Sequence, residues 1–367
     1  MVGGSQRQLY YVVTNLNNSY KPIVVCRNDG QFFGQLQACG IKTNVFTLHP
    51  WRKFPVGLYR YIDAERLARY AQAHQVSLVH SSDLWLNGYM IWVARRLKIP
   101  SVLHVRTPIC PDEVRKHNCN KTTAVIAISR RVKQNLLDAG IYPEKITQID
   151  DAVDLNVFRP KGPEENVLRR DFSPATVGYP TWYPIGQVLV GIVGRIEPYK
   201  RQLEFLQAAE QIIHNSTRNV TFFVIGEDYR HSYFEKLKRF VSERRLERYV
   251  VFTGRRDDMP EVLGSLDILV SLSGGSVMFE AMACGKVVVS ASFSSEEDSV
   301  HIQNGRTGVL VSSARNSELV QALNQLIDSP EICRQIGRQA RKWAENNFSH
   351  ITMTNKIQQL YQQLLKS

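Results

Sequence analysis

From residue 188 onward, apolar runs of strand length alternate with longer stretches in which apolar positions recur at helical spacing. The runs cover 188–193, 220–225, 250–253, 268–272, 287–290 and 309–311, each with a Gly, Ser or Asp close to its carboxyl end. Continuous rather than alternating apolar runs imply parallel strands covered on both faces, and their alternation with helices predicts a doubly wound α/β domain. Residues 23–26, 44–48, 78–80, 101–105, 124–128 and 146–149 predict a second set of strands with helices between several of them. Between the two sets, residues 161–186 hold Pro163, Pro174, Pro180 and Pro184 with Gly162, Gly178 and Gly186 and show no periodicity, so they predict a linker. The expected layout is therefore a first Rossmann-like domain over 1–160, a linker over 161–186 and a second domain over 187–346. Ile357, Leu360, Tyr361, Leu364 and Leu365 fall at helical spacing within 347–367 and predict a final helix that packs back onto the first domain. Two such domains are expected to face each other across a cleft, with ligands outside the carboxyl ends of the strands.

Length and composition agree with that layout. The 367 residues exceed what one core usually supports, and 43% hydrophobic with 22% charged residues is a globular balance. The apolar runs fall far short of the roughly 20 residues that a bilayer helix needs. With no secretory signal evident, a cytoplasmic protein is expected. Six scattered cysteines form no Cys-x-x-Cys pair and predict reduced thiols. Cys110, His117 and Cys119 match no common zinc spacing, and no metal site is expected. Residues 1–160 hold 21 of the 46 Lys and Arg but 11 of the 34 Asp and Glu, so the basic excess lies in the first half. A basic face suits an anionic membrane, an anionic acceptor or nucleic acid, or is simply solvated surface. No nucleic-acid recognition motif is present, and the basic residues are not striped with aromatics, which argues against nucleic acid.

Two segments carry candidate chemistry. After the first strand of the second set, the chain reads Gly194-Arg195-Ile196-Glu197-Pro198-Tyr199-Lys200, with a helix expected from about Gln202. A forked guanidinium and a point-charge ammonium at a strand's carboxyl end suit a departing pyrophosphate, whose growing charge must be stabilised. The plainer alternative is a surface loop in which these cations pair with Glu197 and Glu204. Further on, Ser271-Leu272-Ser273-Gly274-Gly275-Ser276-Val277 ends a strand in small residues, and Glu280 lies in the first turn of a helix. Backbone N–H groups of Gly274 to Val277 would face an anion, with Glu280 placed to accept ribose hydroxyls. Alternatively, Ser and Gly only make the turn and Glu280 only suits the helix dipole.

In this order and spacing, the two segments resemble glycosyltransferase family 4, which has the GT-B fold of two Rossmann-like domains. The family's marks are a Val-Gly-Arg strand end with a Lys five residues on, and a Glu-Ala-Met-Ala-Cys-Gly helix, here Glu280 to Gly285. Ile225-Gly226-Glu227, Phe252-Thr253-Gly254 and Gly305-Arg306-Thr307-Gly308-Val309-Leu310 are similar to further family segments, as are Ile99-Pro100 through His104, Ile126 to Ser129, and Val153-Asp154 with Phe158. Gly3-Gly4-Ser5 resembles the family's glycine loop beneath the donor phosphates. The resemblance implies that His104 contacts the transferred sugar and that Arg195 and Lys200 hold the diphosphate. It places Gly274, Gly275, Ser276 and Val277 at phosphate and sugar, Glu280 at the ribose and Thr253, Gly254 and Arg255 at the base. Gly3, Gly4, Gly194 and Gly226 complete the implied donor site.

The implied activity is a retaining, metal-independent transfer from a UDP- or GDP-sugar to a hydroxyl of a glycan or lipid-linked acceptor, without a cofactor. Trp51-Arg52-Lys53-Phe54 and Arg95-Arg96 with Lys98 suit peripheral contact with an anionic cytoplasmic membrane face. Three positions depart from the pattern. Leu272 stands where the family carries a second Glu, which raises the alternative of an inactive nucleotide-sugar-binding or partner-binding descendant. Asp151-Ala152 replaces the family's Asn-Gly. Only Met1 and Val2 precede Gly3, where the family has a buried strand, so a truncated or mis-assigned start is expected together with a gap in the first sheet.

Overall fold

A computed structural model describes residues 4–51, 59–107, 109–172, 187–215, 219–291, 301–312 and 316–366. The chain divides into two compact units, Met1–Ala152 with His350–Ser367, and Val153–Ser349. Both are built of parallel strands with helices packed against them, the α/β class that the uninterrupted apolar runs predict.

In the first unit, β1 (Ile23–Cys26) pairs with β2 (Lys42–Val45) as a separate two-stranded sheet. The strands β3 (Val79–Ser81), β4 (Ser101–Val105), β5 (Ala124–Ala127) and β6 (Ile146–Gln148) form a second sheet in that order. β4 and β5 are buried at every position because helices cover both of their faces. Leu103, Val105 and Val125 pack with Val132 and Leu136 of the helix Arg130–Asp138. On the opposite face, Val102 and Ile126 meet Tyr11 and Val12 of the helix Gly4–Asn15 and Met353, Ile357 and Leu360 of the helix His350–Lys366. Burying each of those last three side chains contributes about 1.5–3 kcal/mol. Val13 of the helix Gly4–Asn15 packs instead with Val24 of β1, so one helix serves both sheets. Among the described residues, β1 pairs with β2 alone and β3 with β4 alone, and only Val24 of β1 is fully buried.

The second unit has one six-stranded parallel sheet, in the order β12-β11-β10-β7-β8-β9. Its strands are β7 (Val188–Val193), β8 (Val220–Ile225), β9 (Val250–Gly254), β10 (Ile268–Ser271), β11 (Val287–Ser290) and β12 (Val309–Leu310). Side chains alternate between two cores. Val190, Ile192, Phe222, Val224 and Val270 face the helices Gln202–Asn215 and Asn316–Asp328, whereas Leu189, Phe223, Leu269 and Val288 face Met259–Ser265 and Val277–Ala283. With both faces covered, every strand position favours an apolar side chain, which is why the runs are continuous.

Two expectations are corrected. The strand expected over 44–48 is Lys42–Val45, because Phe46 and Leu48 are buried against Ala64 and Tyr89 beyond the end of the pairing. The linker expected over 161–186 does not begin at 161. Residues 163–165 form a turn of 3₁₀ helix and Val167–Asp171 an α-helix, with Val167 and Leu168 in the core of the second unit and Val167 N–H bonded to Ser265 Oγ at 2.9 Å. Prolines that break periodicity there still permit a short docked helix. Residues 173–186 lie outside the described residues.

Candidate functional site

The strand order sets where a ligand can sit. From β7 the chain proceeds to β8 and β9 on one side, then returns to β10, β11 and β12 on the other, so β7 and β10 flank a topological switch point. The two candidate segments leave the carboxyl ends of these two strands.

After β7, the loop is held by its neighbours rather than by regular structure. Gly194 N–H donates to Ile225 O at 2.9 Å, and the buried Ile196 donates to Glu227 O at 2.9 Å. Gln202 Nε2 donates to the Arg195 carbonyl at 2.9 Å. Gly226, after β8, presses against this loop: a β-carbon there would lie 1.9 Å from Gly194 O, and its φ of +156° is one that L side chains rarely adopt. Gly226 N–H in turn donates to Gly254 O at 3.0 Å, linking the ends of β8 and β9. In β9, Thr253 is an extra residue between the Val224–Phe252 and Ile225–Gly254 pairs, a bulge, and its Oγ1 donates to Gly254 O at 2.9 Å. Arg255 is exposed and pairs with Asp257 at 3.2 Å.

Lys200 ends a 3₁₀ turn, Pro198–Lys200, and its stem lies along Gly194. A β-carbon on Gly275 would stand 4.0 Å from Lys200 Nζ, so the ammonium reaches from the β7 loop to the β10 loop. Burial pushes the Lys200 amine below its ordinary range, as expected for a cation withdrawn from water, against the opposing pull of the nearby Glu197 carboxylate. Arg195 pairs with Glu197 at 3.0 Å and lies 4.4 Å over the ring of Tyr229. Glu204 pairs with Arg201 at 3.1 Å instead of with Lys200. The surface-loop alternative thus describes Arg195 in part, and Lys200 only through the charge of Glu197, with no ion pair to Lys200 among the described residues.

Gly274 and Gly275 have φ of +73° and +122°, which suits residues without a side chain at the turn into the helix Val277–Ala283. Ser276 precedes that helix, and Glu280 is one turn in and 6% exposed. Leu272 is buried with Val270, Val289 and Ala291, so an apolar side chain fills the position where the resemblance has a carboxylate.

The second unit therefore carries Gly194, Arg195, Lys200, Gly226, Thr253, Gly254, Arg255, Gly274, Gly275, Ser276, Val277 and Glu280 at or just beyond the carboxyl ends of β7 to β10. Gly4 and His104 belong to the first unit, Gly4 as the first residue of a helix and His104 within β4 at 1% exposure. Gly3 lies outside the described residues, as do Arg52, Lys53 and Phe54. Tyr229, which stacks under Arg195, has no motif to announce it. Nor do the partners of His104. His80 stacks on its ring with centroids 5.5 Å apart, and Arg106 donates to its Nδ1 at 3.2 Å.

Comparison with known proteins follows the same division. Residues 2–157 match the Glycosyltransferase Family 4 model, and residues 184–343 match the model of glycosyl transferases group 1. The chain is 28% identical over 300 residues to D-inositol 3-phosphate glycosyltransferase of Rhodococcus erythropolis, with 74% of this chain and 64% of that relative covered. It is 22% identical over 324 residues to the UDP-Gal:alpha-D-GlcNAc-diphosphoundecaprenol alpha-1,3-galactosyltransferase of Escherichia coli, covering 83% of this chain and 78% of the relative. The crystal structure of Anabaena HepE in complex with UDP and glucose superposes with a TM-score of 0.81 at 22% identity, over 99% of this chain and 96% of that one. That likeness shows a shared fold. The chain spans slightly less than two thirds of the length of the first inositol phosphate relatives.

Proposed function

Because the chain belongs to the glycosyltransferases, joining a Family 4 segment to a group 1 segment on the GT-B fold, we propose that it transfers a glycosyl group from a nucleotide-diphosphate sugar to a hydroxyl of a glycan or lipid-linked acceptor. The observation that carries this reading is the reach of Lys200 from the β7 loop to Gly275 across the switch point. A half-desolvated ammonium beside an open glycine turn can neutralise an anion that arrives there, and the same charge acts most strongly when the leaving diphosphate is formed. Arg195, already oriented by Glu197 and Tyr229, adds forked donors with little ordering cost. Glu280 accepts the ribose hydroxyls, and the Thr253 bulge with Gly254 and Arg255 lies against the base. His104 contacts the transferred sugar.

Retention of anomeric configuration follows if the departing phosphate itself takes the acceptor proton on the same face, with positioning supplying most of the acceleration. With Lys200, Arg195 and the glycine turn balancing the charge, turnover requires no metal. The donor is a UDP-sugar, the class named for the Escherichia coli relative, and the acceptor is glycan or lipid-linked. The exposed Arg95 and Arg96 at the end of the helix Asn87–Leu97 suit peripheral contact with an anionic cytoplasmic face.

The test is direct. The chain is incubated with UDP-, GDP- and ADP-sugars, and nucleotide diphosphate release and calorimetric nucleotide binding are measured with and without EDTA. UDP binding that weakens in Lys200→Ala, with turnover unaffected by EDTA, is expected; failure to bind any nucleotide diphosphate overturns the reading. A second reading, a nucleotide-sugar binder without turnover, is favoured by buried Leu272, and binding without release across the donor panel would select it. Sedimentation with anionic liposomes at low salt tests the membrane contact.

A further inference from the structure

His104 lies in a buried polar cluster of the first unit. His80 on β3 stacks against it with rings 24° from parallel, and Tyr361 Oη lies 2.5 Å from His80 Nδ1. Arg106, two residues along from His104, forms an ion pair with Asp151 and donates from Nη2 to His104 Nδ1 at 3.2 Å. Three nitrogens in this cluster, Nε2 of His104, Nε2 of His80 and Nε of Arg106, are buried without a hydrogen-bond partner.

A guanidinium has only donors, so the ring nitrogen it meets must be an acceptor. For His104 that nitrogen is Nδ1, which leaves the proton of a neutral imidazole on Nε2. Adding a second proton would set an imidazolium directly against Arg106 on a ring that is 1% exposed. Burial and the Arg106 charge accordingly hold the His104 ring well below its ordinary range. Asp151 makes the arrangement possible, because without its carboxylate Arg106 would be an unbalanced cation beside two imidazoles. A buried N–H without an acceptor costs about 1–3 kcal/mol, a cost that a ligand oxygen removes.

We propose that Arg106, anchored by Asp151, fixes His104 as the neutral tautomer with its proton on Nε2, making it a hydrogen-bond donor to an oxygen of the transferred sugar and excluding it as a base. The contact with sugar rests on the transferase reading above; the tautomer does not. Arg106 and Asp151 are positioning residues in this scheme. The first test is long-range ¹H–¹⁵N correlation on the full chain labelled with ¹⁵N-histidine, with His104 assigned by loss of its signals in His104→Gln. The expected pattern is a protonated Nε2 and bare Nδ1 that does not titrate between about pH 5 and 8, given that Arg106 and His80 face the ring, with Asp151 paired to Arg106 and Tyr361 set against His80. A protonated Nδ1, or a ring that titrates near 6.5, overturns the proposal whether or not the chain is active.

The second test is kinetic. Arg106→Gln and Asp151→Ala should lower kcat by about 10- to 100-fold with little change in donor KM, and Asp151→Glu should restore part of the loss. An unchanged kcat in Arg106→Gln, alongside an active parent, overturns the role assigned to Arg106. An inactive parent with the expected tautomer spectrum instead counts against the transferase reading.

Discussion

The two units use the same parallel α/β plan, yet among the described residues one has a continuous six-stranded sheet and the other a sheet in two pieces. In the second unit, all four residues of β10 and of β11 are buried, and every position of β8 as well. In the first, β4 and β5 match that standard, but β1 and β3 have one fully buried residue each. A strand flanked on both sides and covered on both faces favours apolar side chains, and a polar one there, such as Thr221 in β8, is buried with a hydrogen-bond partner. A strand paired on one side only retains unpaired backbone and partly exposed side chains, and its contribution to stability falls accordingly.

That contrast can be broken at several points. Phe222→Ala, which opens a cavity in the continuous sheet at a fully buried position, should destabilise the second unit by about 3–5 kcal/mol by denaturant unfolding. Ile23→Val on half-buried β1 should cost at most about 0.5 kcal/mol in the first unit; equal losses at the two positions would erase the distinction. Lys200→Ala should lower turnover by about 100- to 1000-fold while leaving the unfolding midpoint nearly unchanged. A large fall in stability with little kinetic effect would make Lys200 a packing residue over Gly194.

The first unit's buried imidazoles supply a contrast in pH. Burial and then Arg106 lower His80 from 6.5 to about 3. Above about pH 6.5 the ring is neutral in both folded and unfolded chains. As pH falls below 6.5, the unfolded chain takes up a proton that the folded one refuses, so stability is lost progressively toward pH 3. The unfolding midpoint of the parent should therefore fall more steeply between pH 6.5 and 5 than that of His80→Gln. Parallel slopes would remove His80 from the account. A smaller effect than at Lys200 is expected at Arg195, which is 55% exposed and already paired with Glu197. Arg195→Gln should weaken UDP binding by about tenfold, read by calorimetry.

Legibility in the sequence did not follow that division. Strands 188–193, 220–225 and 287–290 of the second unit and 101–105 of the first were bounded correctly because two-sided burial leaves apolar runs with sharp ends, and half-buried 23–26 was bounded correctly as well. The second strand of the first unit slipped, because Lys42 to Val45 pair while the apolar Phe46 and Leu48 pack beyond them. Residues 163–171 were read as linker because prolines and glycines hide a helix whose only periodic signal is Val167 and Leu168. At the site, the glycines and cations of the β7 and β10 loops stood out by type. Tyr229 did not, since a tyrosine beside an arginine is visible only once the two loops are brought together.

Local chemistry is what the sequence could determine unaided: the α/β class, the strands of the second unit to within one residue, and the loops in which Arg195, Lys200, Gly275 and Glu280 stand. Those features depend on neighbours a few residues apart, where side-chain pattern and backbone freedom act directly. Tertiary structure alone decided that Lys200 reaches Gly275, that Leu272 fills an apolar pocket, and that Asp151 pairs with the Arg106 that contacts His104. Such contacts join residues from distant parts of the chain, and only the order of strands in a sheet places them side by side.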